Sequence, residues 1–330
     1  MIYDEHKNRI PLENIFRGWP CFIVSNGPSL AKMDLSQLAK PGFVTIGMNN
    51  GPAAFRPNVW IMGDDVKSML MSTWLDPCIL KFLPHGKEGQ TLWDNNEWKE
   101  SNIRVKDCPS TFYFLMNEDW HPAQYLTEPM FHWGLEGWKC MCGWTAPEVE
   151  KRGKKKRQMP DDKICPRCGK KDRFGCRSIQ FLAVKLAYVL GCREVYLVGA
   201  DFRMSKDYTY AFKQARASGS VQNNNTYYAK MNERFTELDE HFKKAGFRVW
   251  NCTPDSGLKS FDTMPYDKAI ARATRRMPEI ERDRHGLWVC KDRTEGLYDR
   301  KENEKRGLEG PPDTIIRTLA QFLEHRGVDV

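Results

Sequence analysis

The chain contains no run of eighteen apolar residues, so no segment of it is expected to cross a bilayer as a helix. An apolar leader is missing too. Met1-Ile2-Tyr3-Asp4-Glu5-His6 opens charged, which argues against a secretory signal and sets a cytoplasmic protein as the expectation. Internal repeats are absent, which argues against a solenoid. Cysteine is not scarce: there are eleven in 330 residues. A chain this long needs no disulfide scaffold to make a core, and with no leader the cysteines are expected to sit in a reducing compartment. The formal net charge of +8 and pI near 8.8 make the surface mildly basic, compatible with an anionic partner.

What is present reads as one α/β domain with attachments. Apolar runs at 21–24, 43–47, 59–62, 79–82, 111–115 and 194–198 predict strands, and helical spacing predicts helices at 30–38, 68–74 and 178–190. Strands alternating with helices point to a single doubly wound, mainly parallel sheet. Ligands of such sheets bind beyond the C-terminal strand ends. Three of those ends carry polar signals here. Phe22-Ile23-Val24-Ser25 runs into Asn26-Gly27-Pro28-Ser29-Leu30, a small-residue turn that lets backbone N–H groups approach a phosphate. The strand at 59–62 ends in Gly63-Asp64-Asp65, and that at 194–198 in Gly199-Ala200-Asp201-Phe202. Asp201 could equally cap its turn. The polar segment 213–225 reads as a lid or as an ordinary loop, with Tyr227 opening the helix after it.

Asn26-Gly27-Pro28-Ser29-Leu30, Asn49, Gly199-Ala200-Asp201-Phe202, Tyr210-Ala211-Phe212 and the helix near Tyr227, in this order, resemble the bacterial lipooligosaccharide sialyltransferases, glycosyltransferase family 42. The segment 251–261 resembles that family's closing strand and loop. The same core occurs in 6-hydroxymethylpterin pyrophosphokinase-like proteins and in phage proteins. The resemblance spans about residues 20–265 with one insertion. It implies a Rossmann-like sheet of the GT-A-variant type and a nucleotide-sugar donor, in a bacterial or phage-infected cell. It further implies that Asn26, Gly27, Pro28 and Ser29 cradle the donor phosphate and that Asn49 and Tyr227 belong to the nucleotide site, although Asn49 also suits a turn before Gly51-Pro52.

Several positions depart from the family. Asp64 stands near a family asparagine; a carboxylate there can accept from a ribose or base, or bind Mg²⁺. One of two phosphate-steadying tyrosines is kept as Tyr210. The other position is Arg203, whose guanidinium would pair with a phosphate unless it is merely a surface arginine. The family's histidine base falls on Lys230, which is protonated at neutral pH unless burial depresses it. Lys230 is therefore a depressed base, a phosphate-neutralising cation beside Asp201 or Asp64 as base, or a solvated lysine; transfer with retention would need no such base.

The insertion carries Cys140-Met141-Cys142-Gly143 and Cys165-Pro166-Arg167-Cys168-Gly169; the second pair has the usual knuckle spacing and the first the less usual C-x-C, and the four are expected to hold a closed structural zinc that staples a fold, the alternatives being free buried cysteines or a disulfide. Between them, Lys151-Arg152-Gly153-Lys154-Lys155-Lys156-Arg157 reads as the basic tip of a zinc ribbon. Lys154, Lys155, Lys156 and Arg157 could contact nucleic acid or form a solvated hairpin tip, with Trp133, Trp138 and Trp144 available for base stacking or ribbon packing. The expected organisation is a transferase core at 1–132 and 173–265, an inserted zinc ribbon at 133–172 and a mainly helical C-terminal extension at 266–330, with a basic helix at 269–276, a short strand at 287–290 and a terminal helix at 313–323.

The expected function is sugar transfer from a nucleotide-sugar to a hydroxyl, with a hydroxymethylated pyrimidine in DNA as the natural anionic acceptor. The alternatives are a Mg²⁺-dependent pyrophosphokinase with Asp64, Asp65 and Asp201 as metal ligands, and a catalytically inactive zinc-ribbon nucleic-acid binding protein.

Overall fold

The computed structural model describes residues 1–290 apart from 41, 95–96, 118–119, 141, 143, 152–153, 163, 170–173, 206–209, 213–219, 278–279 and 283–287; for 135–138, 151, 154–156, 174, 176, 220, 223, 280–282 and 288–290 it describes the backbone alone. The strands are β1 (Ile2–Tyr3), β2 (Arg9–Ile10), β3 (Cys21–Val24), β4 (Val44–Met48), β5 (Val59–Ile61), β6 (Leu80–Pro84), β7 (Thr91–Asp94), β8 (Lys99–Arg104), β9 (Thr111–Phe114), β10 (Gly134–Cys140), β11 (Glu148–Lys151), β12 (Lys154–Arg157), β13 (Phe174–Arg177), β14 (Glu194–Val198), β15 (Arg248–Asn251), β16 (Ile280–Arg282) and β17 (Trp288–Cys290). The helices are α1 (Met71–Leu75), α2 (Ile179–Val189), α3 (Ser220–Lys244) and α4 (Tyr266–Arg276).

Nine strands form the main sheet in the order β15-β14-β3-β4-β5-β6-β9-β1-β2. From β15 to β9 every pairing is parallel, and β1 and β2 close one edge antiparallel. Every residue of β3, β4, β5, β9 and β14 is buried. That is the pattern of a parallel sheet covered on both faces, and it is why these strands are continuous apolar runs rather than alternating ones. Alternate side chains serve opposite layers. Cys21 and Ile23 pack with Phe181 of α2 and Phe235 of α3, whereas Phe22 and Val24 pack with Leu30, Leu38 and Ile270 of α4. Farther along the second face, Trp60 meets Trp74 edge-on at 4.7 Å. Each such buried aliphatic or aromatic side chain stabilises the fold by about 1.5–3 kcal/mol.

The chain leaves β3 toward β4 on one side and later runs from β14 to β15 on the other. The β3–β14 boundary is therefore a topological switch point, the place on such a sheet where ligands commonly bind.

Some local expectations fail for identifiable reasons. The helix expected at 30–38 is two short 3₁₀ segments, Pro28–Lys32 and Leu35–Ala39. Asp34 breaks it by accepting from the Ser36 N–H, a local bond that competes with the helical ladder. The helix expected at 68–74 is a 3₁₀ turn followed by the short α1. The polar stretch between the strands ending at Pro84 and starting at Thr111 holds the hairpin β7–β8. Helix α3 begins at Ser220, so residues 220–225 are helical rather than loop and Tyr227 lies about two turns inside the helix. The remainder of the segment read as a lid, 213–219, lies outside the described residues, as do the charged stretch at 300–306 and the terminal helix expected at 313–323. The described C-terminal part consists of α4 and the β16–β17 pair. Among the described residues no helix is long and apolar enough to cross a membrane.

Candidate functional site

The turn after β3 and the turn after β14 meet across the switch point. Gly27 N–H donates to Gly199 O at 2.9 Å, and the Ser29 hydroxyl donates to Asp201 Oδ2 at 2.7 Å. Asp201 is only 3 % exposed. A Cβ on Gly27 would lie 1.8 Å from Asp201 Oδ2 and 2.4 Å from Gly199 O, so only glycine lets the two turns close on each other. Asp201 thus braces the small-residue turn from beneath. This geometry assigns it a positioning role, and the Gly27 N–H and Ser29 hydroxyl are used within the protein rather than held out for an anion.

Asn26 is tied to its surroundings by its carbonyl, which accepts from Ala211 N–H at 3.0 Å, while its Oδ1 is buried and has no hydrogen-bond partner among the described residues. A buried acceptor left unsatisfied costs about 1–3 kcal/mol, which a ligand donor would recover. Tyr210 stacks near Phe212, and Tyr228 stacks on Phe202 at 5.2 Å. Burial, reinforced by Tyr210 and Asp201, pushes the Tyr228 hydroxyl up to about 12. Arg203 is exposed and Lys230 half-buried on α3.

Next along the same sheet edge, Asn49 ends β4 in a left-handed conformation, φ 46°. The reading as a turn residue holds, and its side chain bonds within the protein. Its Nδ2 donates to Asp64 Oδ2 at 2.6 Å and its Oδ1 accepts from Gly63 N–H at 3.2 Å, tying the ends of β4 and β5 together. Asp65 instead caps the following 3₁₀ turn by accepting from Lys67 N–H.

A cleft of about 660 Å³ opens here, lined among others by Asp64, Lys87, Trp133, Arg177, Ser178 and Tyr227. Lys87 Nζ donates to Asp64 O at 2.7 Å, and the Arg177 guanidinium lies 4.9 Å over the Trp133 ring. Tyr227 is 45 % exposed into this space, whereas its neighbour Tyr228 faces Asp201 and Tyr210. Asp64 is itself open to solvent, yet the cleft walls strip enough water to raise its carboxyl above the ordinary value, against the pull of Lys87 and Arg177. Burial likewise lowers Lys87.

A raised carboxyl makes the ionised form the costly one for the fold, so the penalty appears as pH rises through the folded-state value and is absent where the group is protonated in both states. Asp64→Asn is therefore expected to be slightly more stable than the parent at pH 7, by less than about 1 kcal/mol because solvent screens the group. The gain should vanish below about pH 4, near the ordinary carboxylate value. Thermal melts at the two pH values check this; a variant less stable at pH 7 than at pH 4, relative to the parent, contradicts it.

Sequence reasoning missed Lys87, Arg177 and Tyr228 as site residues, and it assigned Trp133 to the ribbon rather than to this cleft. Lys87 follows the end of β6 and could have been found by extending the strand-end rule to that strand. Arg177 and Trp133 reach the cleft because they sit at the roots of the insertion, where Gly134 pairs with Arg177 and Ser178 N–H donates to Trp133 O. Nothing local in the sequence signals that.

At the insertion's other end Cys140, Cys142, Cys165 and Cys168 converge, with all four Sγ atoms within 4.8 Å of one another. Cys140–Cys168 and Cys142–Cys165 are separated by 3.8 and 3.5 Å. Zinc–sulfur bonds of about 2.3 Å in a tetrahedron place sulfurs about 3.8 Å apart, so the cluster is able to hold a metal ion such as zinc. Gly169, at φ 65°, returns its N–H to Cys165 O at 2.8 Å and so closes the second cysteine turn. Asp64, Asp65 and Asp201 do not gather in this way. Among the described residues the cysteines are the one group of three or more potential metal-binding side chains, because Asp201 is folded under Gly27 and Asp65 is a cap.

The basic run lies at the end of an antiparallel strand pair, with Lys151 opposite Lys154. Lys154–Arg157 is strand β12, paired antiparallel with Glu148–Lys151. Arg157 is exposed, pairs with Glu148 at 2.8 Å and donates to Ala146 O at 3.2 Å. The side chains of Lys154, Lys155, Lys156 and Trp138 lie outside the described residues. Trp144 packs on the cysteine cluster and Trp133 lies in the cleft.

No family model, curated protein or solved structure matches this chain significantly.

Proposed function

We propose that this chain is a transferase acting on a nucleotide-activated donor, a nucleotide sugar, bound along the C-terminal sheet edge from the Asn26-Gly27-Pro28-Ser29 turn to the Asp64 cleft. The observation that carries the reading is the make-up of the sheet edge beside the switch point: a braced glycine turn, a buried Asn26 Oδ1 that has no donor among the described residues, and a neighbouring cleft holding a raised carboxyl beside two cations. The fold subtype implied is Rossmann-like. Asn26 Oδ1 would accept from a ribose hydroxyl or base amino group, and Lys87, Arg177 and Arg203 would offset phosphate charge. Asp64 suits the base. It would take the proton of the acceptor hydroxyl as that oxygen bonds to the anomeric carbon and the bond from that carbon to the nucleotide phosphate breaks. Tyr210 would steady the leaving phosphate, Tyr227 would line the nucleotide site, and Lys230 would add positive charge rather than accept a proton. Structural zinc on the four cysteines would hold the insertion, and with it Arg177, in place.

Incubation with a panel of nucleotide sugars and ATP, with products identified by mass spectrometry, tests this. Sugar-linked nucleotide release supports it. AMP release would favour a pyrophosphokinase, and no turnover with any donor would favour a binding protein.

For the acceptor, an anionic polymer fits the net charge of +8, and a hydroxymethylated pyrimidine in DNA supplies the required hydroxyl. Replacing Lys154, Lys155 and Lys156 together by alanine is expected to weaken DNA binding and to reduce the slope of affinity against salt by up to about three phosphate contacts. Unchanged binding in a salt titration removes DNA as acceptor and leaves the transferase core untouched.

A further inference from the structure

A second concavity lies at the opposite end of the sheet. About 430 Å³ in volume, it is lined by Arg193, Arg248, Arg272 and Arg276 with Glu194 as the single carboxylate. Glu194 and Arg248 are the first residues of β14 and β15 and are register partners, so the pocket sits on the N-terminal strand ends, away from the transferase cleft. The sheet and α4 converge here by sequence necessity. Helix α4 presents Arg272 and Arg276 one turn apart, on the same face.

The arginines are not there merely to neutralise the acid. Glu194 Oε1 already accepts from Arg272 Nε at 2.8 Å and from Trp250 Nε1 at 3.1 Å, and its Oε2 lies 2.9 Å from Arg276 Nη1. The carboxylate is buried, and each of its oxygens is paired with an arginine. Arg272 also lies over the Trp250 ring at 5.3 Å, so its plane is held. Arg193 is anchored by its Nη1 to Tyr188 O and Cys192 O. Arg248 is exposed and has no side-chain hydrogen bond or ion pair among the described residues. The lining therefore keeps three positive charges beyond the one that Glu194 cancels. Gly246, at φ 66° with open space above its Cα, leaves the rim clear.

We infer that this arginine pocket is a binding site for oligophosphate, either a free oligophosphate or consecutive phosphates of a nucleic-acid strand. Planar guanidinium forks match phosphate oxygens two at a time, and several converging in one concavity select a multiply charged anion over a single carboxylate. Glu194 serves to align Arg272 and Arg276. The inference is independent of the transferase reading, because no residue of the cleft takes part.

The test is calorimetric titration of the full chain with inorganic tripolyphosphate, and anisotropy of a labelled single-stranded oligonucleotide, for the parent, for Arg248→Glu with Arg276→Gln, and for the triple alanine variant at Lys154, Lys155 and Lys156. The arginine variant should bind at least one probe about tenfold or more weaker, the triple lysine variant retaining binding of that probe to this pocket. Loss confined to tripolyphosphate identifies a free ligand, and loss confined to the oligonucleotide identifies a strand backbone. Binding of both probes as tightly as in the parent, or no binding of either by the parent, overturns the inference. Arg248→Gln alone, at an exposed position without a protein partner to lose, keeps the test valid should the double variant fold poorly.

Discussion

Cys165→Ser is expected to abolish stoichiometric metal binding and to unfold the insertion while the nine-stranded core stays folded. The insertion has little else to hold it. Among the described residues its own buried cluster consists of Cys140 and Cys165, with Cys142, Trp144, Met159 and Cys168 packed around them. Two-stranded sheets are marginal in water by themselves, and the strand pairs described in the insertion are β10–β13 and β11–β12. A structural zinc contributes about 10–16 kcal/mol of apparent binding energy in small domains, far more than such a cluster supplies. Loss of one thiolate should therefore release both the metal and the fold around it. Metal content by mass spectrometry should fall from one ion per chain to none, and trypsin should cut freely in the lysine- and arginine-rich segment between the cysteine pairs. Arg177 and Trp133 stand at the base of the same element, so donor binding should weaken too. Full metal retention, or undiminished protection of that segment, contradicts the account.

Gly27→Ala should be the most damaging single methyl in the core. The added carbon would meet a carboxylate oxygen at 1.8 Å and a backbone carbonyl at 2.4 Å. The carboxylate belongs to Asp201, which Ser29 holds, and the carbonyl belongs to Gly199, whose φ of 67° already fixes its turn. Neither neighbour can move without opening the switch point. A loss of about 2–4 kcal/mol is expected, above the usual range for one methylene of overpacking because backbone must shift. Any variant that still folds should carry a displaced turn and lose donor binding. Denaturant melts and nucleotide titration measure both effects. A melt within 0.5 kcal/mol of the parent, roughly the scatter of a neutral substitution, would show that the turns are not in contact.

The strands were legible because burial on two faces demands uninterrupted apolar residues, as in Cys21-Phe22-Ile23-Val24 and Val195-Tyr196-Leu197-Val198. Their ends then pointed to the turn at Gly27 and to Asp64 and Asp201. The cysteine cluster was legible because metal geometry imposes spacing on sequence. What escaped was set by tertiary placement. Residues 220–226 read Ser-Val-Gln-Asn-Asn-Asn-Thr, poor helix formers that α3 nonetheless incorporates, so a loop was expected where the helix begins. Successive helical side chains diverge by about 100°, which is why Tyr227 lines one cleft and Tyr228 faces the other group. Asp201 looked like a candidate base from its position at a strand end, but its burial under Gly27 makes it a brace, and the open, raised Asp64 is left with that role in the proposed reaction.

The central claim is that the turn at residues 26–29 and the Asp64 cleft hold one activated nucleotide between them. A crystal structure of the chain soaked with the donor selected by the nucleotide panel measures it directly. The account predicts nucleoside density along the Asn26-Gly27-Pro28-Ser29 turn, a donor hydrogen bond to Asn26 Oδ1, phosphate density beside Lys87 and Arg177, and the transferred group beside Asp64. Nucleotide density elsewhere on the chain, with that turn and cleft still filled by water, would contradict it.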